Sequence, residues 1–541
     1  MAVSVVNTRG QQFISLQRLL RTAIVVVLAS IWIGPLSHAV ELSDQELRGR
    51  QIYRQGESHS GAPITALVAR GETPITAALL PCSGCHGEDG KGRPEGGVKP
   101  ADITWKTLTA SYGHEHDYGR SHQAFDEMSL ARSVLLGRDP AGNELDMAMP
   151  RYSMSESDMR DLAAYIKKIE MDLDPGLDEE RILLGTLLPL EGPLQSVGQS
   201  MQSVLDSYFT DVNANGGIHG RRIELVVGEY APDAVQGEWN ARDFLQQETV
   251  FALVSGYVTG IEQEIAALAE EQELPLVGPY TVSPADGDGL YSYSFYLLGG
   301  MNQQAQVLAR YANADLQANE KRMAIVRPNG TVYEAAAEAV QVQSAGGADS
   351  ILTISYQPPY FDTVDTAMLL KQEEVGTVLF FGAANDLRRL ADEAGRAAWT
   401  PDLLLPGVFA SKGMFDIPAG YAGRILLGYS SMPSDHTAKG VREFERLHVD
   451  YGLDYRHSTA QISAFVAAKV FVEGLKRAGR DLSRERLVRE LEGLADFQPG
   501  LMPPISYNAT RRIGAMGGYV VALDLKLKGF ADASKWIELQ P

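Results

Sequence analysis

The chain has 541 residues, of which 45% are hydrophobic and 22% are charged, and its formal net charge is −21. This length exceeds what one hydrophobic core supports, so we expect several domains. The negative charge repels phosphate backbones and anionic lipid, which excludes nucleic acid from the expected partners.

Residues 1–39 have the composition of a secretory signal peptide. Three arginines and no acidic residue precede a run of 12 mainly apolar residues, 23–34. That run is too short to span a bilayer comfortably, and the small residues after it allow cleavage after Ala39. No cysteine lies near this point. We therefore expect export to the periplasm without a lipid anchor.

Both cysteines of the chain lie in one motif, Cys82-Ser83-Gly84-Cys85-His86. The C-x-x-C-H spacing is typical of c-type haem attachment, in which two thiols bond to the haem and the histidine binds its iron. A redox C-x-x-C pair would not need His86, and a zinc site would need two further ligands although no further cysteine exists. The motif predicts one covalently attached haem c with His86 as a metal ligand.

The segment downstream offers a second axial ligand. Met149 precedes Pro150, which restricts the backbone, and lies just before a helix start with a capping box at Ser155 and Asp158. We predict Met149 as the ligand opposite His86, because a thioether raises the reduction potential and suits an electron carrier.

Other side chains compete for this position. Met147 is a further methionine of the same segment, and we expect Met154 or Met159 to pack on the haem or the helix. The rival ligands are three histidines, His114, His116 and His122. Taken alone, that histidine cluster is more typical of a solvated loop than of a metal site.

Helices are predicted on both flanks of the haem motif. A capping box at Ser43 and Glu46 begins the first, and Gly49 lies on its apolar stripe, where a small residue lets two helices cross closely. With these features, residues 42–170 resemble a class I cytochrome c. The resemblance implies a small all-α domain whose terminal helices cross beside one haem. The insertion 54–81 is longer than usual and has no assigned role.

The pattern of apolar and polar residues changes after an acidic segment, 171–180. The composition of this segment indicates a linker. From residue 181, apolar runs alternate with helical stretches, which predicts parallel strands joined by right-handed crossovers. The alternation occurs twice, over about 181–300 and 301–425. We therefore expect residues 181–541 to form two α/β lobes with doubly wound parallel sheets, each completed by returning segments.

Two short segments carry a second resemblance. They are the Leu-Pro-Leu-Glu-Gly-Pro stretch at 188–193 and the glycine turn at 215–218. In this order they resemble the periplasmic branched-chain amino-acid-binding proteins of ABC importers, and the similarity extends from about 181 to 528. The resemblance implies a receptor whose two lobes close on a small solute.

In such receptors the loops at the carboxyl ends of strands line the cleft. The resemblance therefore points to candidate solute contacts at Thr259, Tyr280 and Thr281 in the first lobe and at Tyr333 and loop 382–386 in the second. Ordinary loop packing is the alternative explanation for the two tyrosines.

Three positions depart from the amino-acid receptors. Where that family has a tyrosine, an aromatic residue and an acidic residue, this chain has Val197, Ala384 and Gly407. Because these side chains anchor the polar groups of an amino acid, we expect a solute that is not an aliphatic α-amino acid. A smaller or less polar molecule is the hypothesis.

No G-x-S-x-G, H-E-x-x-H, Walker or post-strand G-x-G-x-x-G motif is present, so we expect no enzyme activity. The sequence predicts an exported electron-transfer protein that carries a receptor domain, serves a periplasmic oxidation system and has a periplasmic redox partner. The alternatives are the substrate-binding component of an ABC importer, with a cognate permease, and a ligand or redox sensor with an accessory haem.

Overall fold

The computed structural model describes residues 42–68, 74–94, 97–116, 119–285, 291–316, 322–343 and 351–540. The chain divides into two compact units, with the boundary between Asp172 and Leu173. The predicted signal peptide, 1–39, lies outside the described residues. Within the described ranges, no helix has the length and apolar character needed to cross a membrane.

Helices dominate the first unit. Its described helices are α1 (Asp44–Gln55), α2 (Cys82–His86), α3 (Trp105–Leu108), α4 (Glu127–Leu136) and α5 (Glu156–Ile166). The predicted capping box of Ser43 and Glu46 begins α1, and Ser155 accepts a hydrogen bond from the Asp158 N–H at the start of α5. These two helices therefore begin where a side-chain oxygen accepts a hydrogen bond from an amide that has no acceptor within the helix.

The first and last of these helices cross at Gly49. A Cβ atom at this position would lie 2.0 Å from the Asp161 carbonyl oxygen, so only glycine permits the approach. Arg48 and Asp161 form an ion pair across the crossing at 2.8 Å, and the rings of Tyr53 and Tyr165 lie 5.4 Å apart. The predicted close crossing is therefore present, and Gly49 is its cause.

Replacing Gly49 with alanine is expected to destabilise the first unit by about 3 kcal/mol, because the added methyl must displace the facing backbone. Urea unfolding of the full chain, followed through haem absorbance, measures the change. Gly395→Ala is the control, since a Cβ at that helical glycine meets no atom within 4 Å. Equal stability of the two variants would contradict the crossing.

Two small antiparallel sheets interrupt this helical unit. β1 (Thr65–Leu67) pairs with β2 (Ile75–Thr76) and with β5 (Arg151–Ser153). β3 (His114–Glu115) and β4 (Ser121–His122) form a hairpin. The description of this domain as all-α is therefore incomplete, and the insertion 54–81 supplies two of the strands.

Strands and helices alternate along most of the second unit. Its described helices are α6 (Gln195–Ala214), α7 (Ala234–Gln247), α8 (Glu262–Glu271), α9 (Gly300–Asp315), α10 (Thr331–Gln343), α11 (Thr363–Gln372), α12 (Ala384–Arg396), α13 (Ala438–Tyr451), α14 (Ser458–Ala478) and α15 (Arg484–Glu492). Its described strands are β6 (Arg181–Leu188), β7 (Arg222–Glu229), β8 (Ala252–Val254), β9 (Leu276–Val277), β10 (Ser294–Leu298), β11 (Arg322–Pro328), β12 (Ile351–Tyr356), β13 (Val375–Phe380), β14 (Asp402–Pro406), β15 (Ile425–Tyr429), β16 (Ile513–Ala515), β17 (Gly517–Asp524), β18 (Gly529–Asp532) and β19 (Ile537–Glu538).

These strands form two sheets, each with its own core. The first has the order β16-β10-β9-β8-β6-β7, with every pair parallel, and we call it and its helices lobe one. The second has the order β12-β11-β13-β14-β15-β17-β18 and forms lobe two; it is parallel through β15 and antiparallel from β17 onward. Strands buried on both faces match the near-continuous apolar runs of the sequence.

Lobe one is completed by residues from far along the chain. After β15, residues 437–515 supply α13, α14, α15 and β16, and α14 packs against α6. Near the start of this lobe, Leu177 of the predicted linker 171–180 is 6% exposed within the lobe-one core. Asp174 accepts a hydrogen bond from the Arg484 N–H at 2.5 Å. These two linker residues therefore belong to lobe one.

Candidate functional sites

The C-x-x-C-H motif forms α2, which lines a cavity of the first unit. Cys82 is half-buried, Cys85 is exposed, and neither is in a disulfide. Burial raises the pKa of Cys82 to about 12. Tyr152 donates a hydrogen bond to the Leu80 carbonyl just before the helix, at 2.7 Å. Both thiols therefore lie at one cavity, on a helix whose start is held in place.

His86 is oriented for a metal. Its Nδ1 lies 2.9 Å from the carbonyl oxygen of Ala101. Because a carbonyl oxygen only accepts, Nδ1 carries the proton and Nε2 keeps its lone pair. Burial lowers the pKa of His86, which favours the neutral form that a metal requires.

The rest of the cavity fits a porphyrin. Apolar side chains from several elements line it, among them Tyr53, Ile103, Leu108, Phe125, Leu130, Val134, Leu162 and Ile166. A flat apolar ring is stabilised by such walls, while the two thiols and the oriented imidazole provide its attachment. The residues present therefore suit the haem c that the motif predicts.

Met149 is half-buried and lines the same cavity. The other methionines of this segment lie elsewhere: Met147 is 56% exposed, Met154 packs against the core, and Met159 is 6% exposed within it. Among these four methionines, Met149 is the one at the cavity. Its role as an iron ligand stays a prediction.

The loop that carries Met149 is held by residues that sequence analysis did not single out. Arg151 donates hydrogen bonds to the carbonyl oxygens of Leu145, at 2.9 Å, and of Met149. Arg151 begins β5, which pairs with β1 of the insertion, and Ser58 of the insertion donates to Asp158 at 2.6 Å. The insertion therefore supports the Met149 loop and the start of α5.

The histidine cluster also lies at this cavity. His114, His116 and His122 all line it, and His122 is 8% exposed. The interpretation of this segment as a solvated loop is therefore wrong. Short strands β3 and β4 hold the three imidazoles together, a pairing that the sequence pattern alone did not reveal.

In lobe one, Tyr280 belongs to a group of aromatic side chains. Its ring lies 5.4 Å from that of Tyr257, which lies 4.9 Å from that of Tyr230. Tyr257 was not predicted, although it lies in the same loop as Thr259. The loops that follow β8 and β9 meet through a bridge between Tyr257 and Tyr280.

The two predicted threonines differ in their surroundings. Thr281 donates a hydrogen bond to Glu262 at 2.5 Å, so its hydroxyl proton is already used within the protein. The hydroxyl of Thr259 is buried and has no hydrogen-bond partner. Thr259 therefore has the greater capacity for a further polar contact.

In lobe two, Tyr333 is half-buried and stacks on Phe409, with ring centroids 6.2 Å apart and planes at 24°. The predicted loop 382–386 is only partly a loop, because its last three residues begin α12, where Asp386 accepts a hydrogen bond from the Tyr356 hydroxyl at 3.2 Å. The predicted lobe-two contacts thus consist of an aromatic ring stacked on a second ring and a carboxylate that already accepts a hydrogen bond.

Comparison with known proteins identifies the same two parts of the chain that the sequence analysis predicted. Residues 181–529 match the periplasmic binding protein family. The chain belongs to the periplasmic binding protein family. Residues 68–170 match cytochrome c, so this periplasmic binding protein carries an N-terminal cytochrome c domain.

Relatives and solved structures agree with this assignment. A Leu/Ile/Val-binding protein of Rhizobium johnstonii is 24% identical over 202 residues, or 37% of this chain and 54% of that protein. The chain thus spans about half the length of the curated relatives it matches. A fatty acid ABC transporter substrate-binding protein from Thermomonospora curvata has a TM-score of 0.52 at 18% identity, over 68% of this chain and 95% of that one.

A second solved structure is a branched chain amino acid ABC transporter protein from Thermus thermophilus with bound valine. Its TM-score is 0.51 at 16% identity, over 67% of this chain and 98% of that one. At these identities the solved structures establish the shared two-lobed fold, and the binding they describe belongs to those proteins.

At one of the three departing positions, Gly407, the structure of this periplasmic binding protein leaves no space for a side chain. A Cβ on Gly407 would lie 2.4 Å from the ring of Tyr429, so an acidic side chain there would require the ring to move. Ala384 is 6% exposed within the lobe-two core, and Val197 packs against the lobe-one core. The ring of Tyr429 thus takes the space of an acid at 407.

Proposed function

We propose that this protein is an exported haem-c electron carrier with a solute-binding receptor domain, and that it serves a periplasmic oxidation system through a redox partner. The observation that carries the proposal is the cavity of the first unit, where Cys82, Cys85, an oriented His86 and Met149 meet. Haem c, when bound there, supplies one-electron oxidation and reduction. In this proposal no side chain of the protein acts as a catalytic group.

Each part of the site has a defined task in this proposal. The two thiols would attach one porphyrin covalently, and the His86 imidazole and the Met149 thioether would be the ligands of its iron. The apolar walls keep water away from the ring edge. The hydrogen bonds of Arg151 to the Met149 loop hold the thioether at the cavity.

A redox titration of the haem-loaded protein tests the electron-carrier role. We expect one reversible one-electron transition and a six-coordinate spectrum in both oxidation states, with no turnover of peroxide. A five-coordinate ferric protein that consumes peroxide would instead indicate an enzyme. Recovery in the periplasmic fraction with an N-terminus near Val40 tests the export that the first 39 residues predict.

For the receptor domain we propose a solute that is not an aliphatic α-amino acid. The support is the space at Gly407 taken by Tyr429, together with the aromatic rings of Tyr257 and Tyr280 on the loops after β8 and β9 and of Tyr333 in α10. The names of the relatives describe proteins that bind leucine, isoleucine and valine. The proposal therefore gives this chain a different class of solute from theirs.

Calorimetric titration with leucine and with valine is expected to give no binding heat at millimolar ligand. Mass spectrometry of small molecules that co-purify with the periplasmic protein identifies the solute, and Tyr280→Ala is expected to weaken its binding at least tenfold. Leu527→Ala is the matched control, because Leu527 is 83% exposed and lies outside the predicted loops. Tight leucine binding would overturn the proposed solute class while leaving the haem proposal intact.

A second candidate is the substrate-binding component of an ABC importer with an accessory haem. The ABC transporter proteins among the solved structures favour it through their shared fold. In that case the solute would bind with the same affinity to haem-free protein, and deletion of a cognate permease would abolish its uptake.

A further inference from the structure

Three histidines lie on one face of the β3–β4 hairpin. Side chains alternate along a strand, so His114 and His116 point to the same side, and His122 pairs directly with His114 across the hairpin. The ring centroid of His122 lies 5.0 Å from the centroid of each of the other two histidines. The centroids of His114 and His116 lie 6.0 Å apart. Backbone pairing thus gathers three imidazoles at one point.

The ring nitrogens suit metal ligation. The Nε2 atoms of His116 and His122 lie 2.9 Å apart, which is a hydrogen-bond distance, so one of the two carries a proton that a metal ion must displace. His122 Nδ1 lies 2.8 Å from the Gln123 carbonyl, which fixes the proton on Nδ1 and leaves its Nε2 with a lone pair. His114 Nε2 is buried and has no hydrogen-bond partner. Burial of an unpaired polar atom is unfavourable in free energy, because the atom loses its hydrogen bonds to water.

The surroundings of His116 favour its neutral form. Burial, followed by the charge of Arg120, lowers the pKa of His116. Arg120 is itself paired with the fully buried Asp139 at 3.0 Å, and the charge of that carboxylate acts on His116 in the opposite direction. The haem iron needs only two axial ligands, which His86 and Met149 provide in the proposed function, so the histidine cluster has no role there.

We propose that His114, His116 and His122 bind one first-row transition-metal ion at the wall of the haem cavity that they line. Nitrogens that bind one tetrahedral ion at about 2.0–2.1 Å lie about 3.3 Å apart, so the His116–His122 pair needs to open only slightly. Among the described residues no three ligands already surround an ion position, so His114 turns toward the pair on binding. Three imidazoles leave a fourth position open and bind Cu²⁺ more tightly than Zn²⁺.

The test uses full-length, haem-loaded protein that has been stripped with a chelator and dialysed against Cu²⁺ or Zn²⁺. We expect about one Cu²⁺ per haem by elemental analysis, at least tenfold weaker binding in His116→Gln and in His122→Gln, and unchanged binding in His59→Gln. His59 is an exposed histidine of the same unit and serves as the control. The haem spectrum should be the same in all variants.

A measurement on the unaltered protein does not depend on how the variants fold. Electron paramagnetic resonance of the Cu²⁺-loaded protein is expected to show splitting from imidazole nitrogens. Absence of stoichiometric metal, equal loss of metal in His59→Gln, or a changed iron coordination in the His116 and His122 variants would overturn the proposal. Haem content, measured separately, shows whether the proposed haem site has failed instead.

Discussion

The double variant Cys82→Ser/Cys85→Ser is expected to lose all haem that withstands denaturation. Each thiol adds across one haem vinyl group to form a thioether, and a serine hydroxyl does not replace it. The full chain, expressed in a host that matures c-type cytochromes, should therefore change from one porphyrin per chain to none. Mass spectrometry of the denatured protein measures this difference.

The single variants refine the result. Cys82→Ser or Cys85→Ser leaves one thioether, so we expect a reduced yield of covalently bound haem. Ser83→Ala, in the same helix, leaves both thiols and His86 unchanged and is the control. A wild-type chain without the porphyrin mass, or a double variant that keeps it, would remove the basis of the redox function.

The variant Met149→His is expected to lower the reduction potential by on the order of 0.1 V or more. An imidazole replaces a thioether opposite His86, and axial ligands alone shift haem potentials over a range of about 0.8 V. A spectroelectrochemical titration gives the potential, and the oxidised protein should also lose its methionine–iron charge-transfer band.

Met147→Leu is the matched control, because Met147 is mostly exposed while Met149 lines the cavity. Its potential and its band should equal those of the wild type. If Met149→His keeps both, then another group binds the iron, and the nearby histidines are the first to test. The proposal for the histidine cluster would then fail together with the assignment of Met149.

Much of the fold follows from local patterns. The apolar run at 182–188 is a strand because it is short, apolar and followed by a helical stretch, and it became the strand β6 of a parallel sheet. Ser43 and Ser155 cap helices at the predicted positions. Gly49 lies where two helices cross. These features depend on neighbours within a few residues or on a single spacing.

The structural features that the sequence analysis did not predict depend on contacts between residues far apart in the chain. β1 of the insertion pairs with β5, more than eighty residues later by number, so no local period could assign a role to residues 54–81. Tyr257 was overlooked because its partner Tyr280 follows a different strand. The small sheets in the first unit have strands of two or three residues, which are too short to show alternation.

The contiguous C-x-x-C-H motif was enough to predict covalent haem, because attachment chemistry needs only two thiols and a histidine at fixed spacing. The class of the second unit likewise followed from the order of apolar and helical segments. Tertiary structure alone decided that three histidines converge at the cavity. It also decided that Tyr429 takes the space beside Gly407. Those outcomes arise from packing between segments far apart in the chain. The spacing of residues in the sequence does not show which distant segments come into contact.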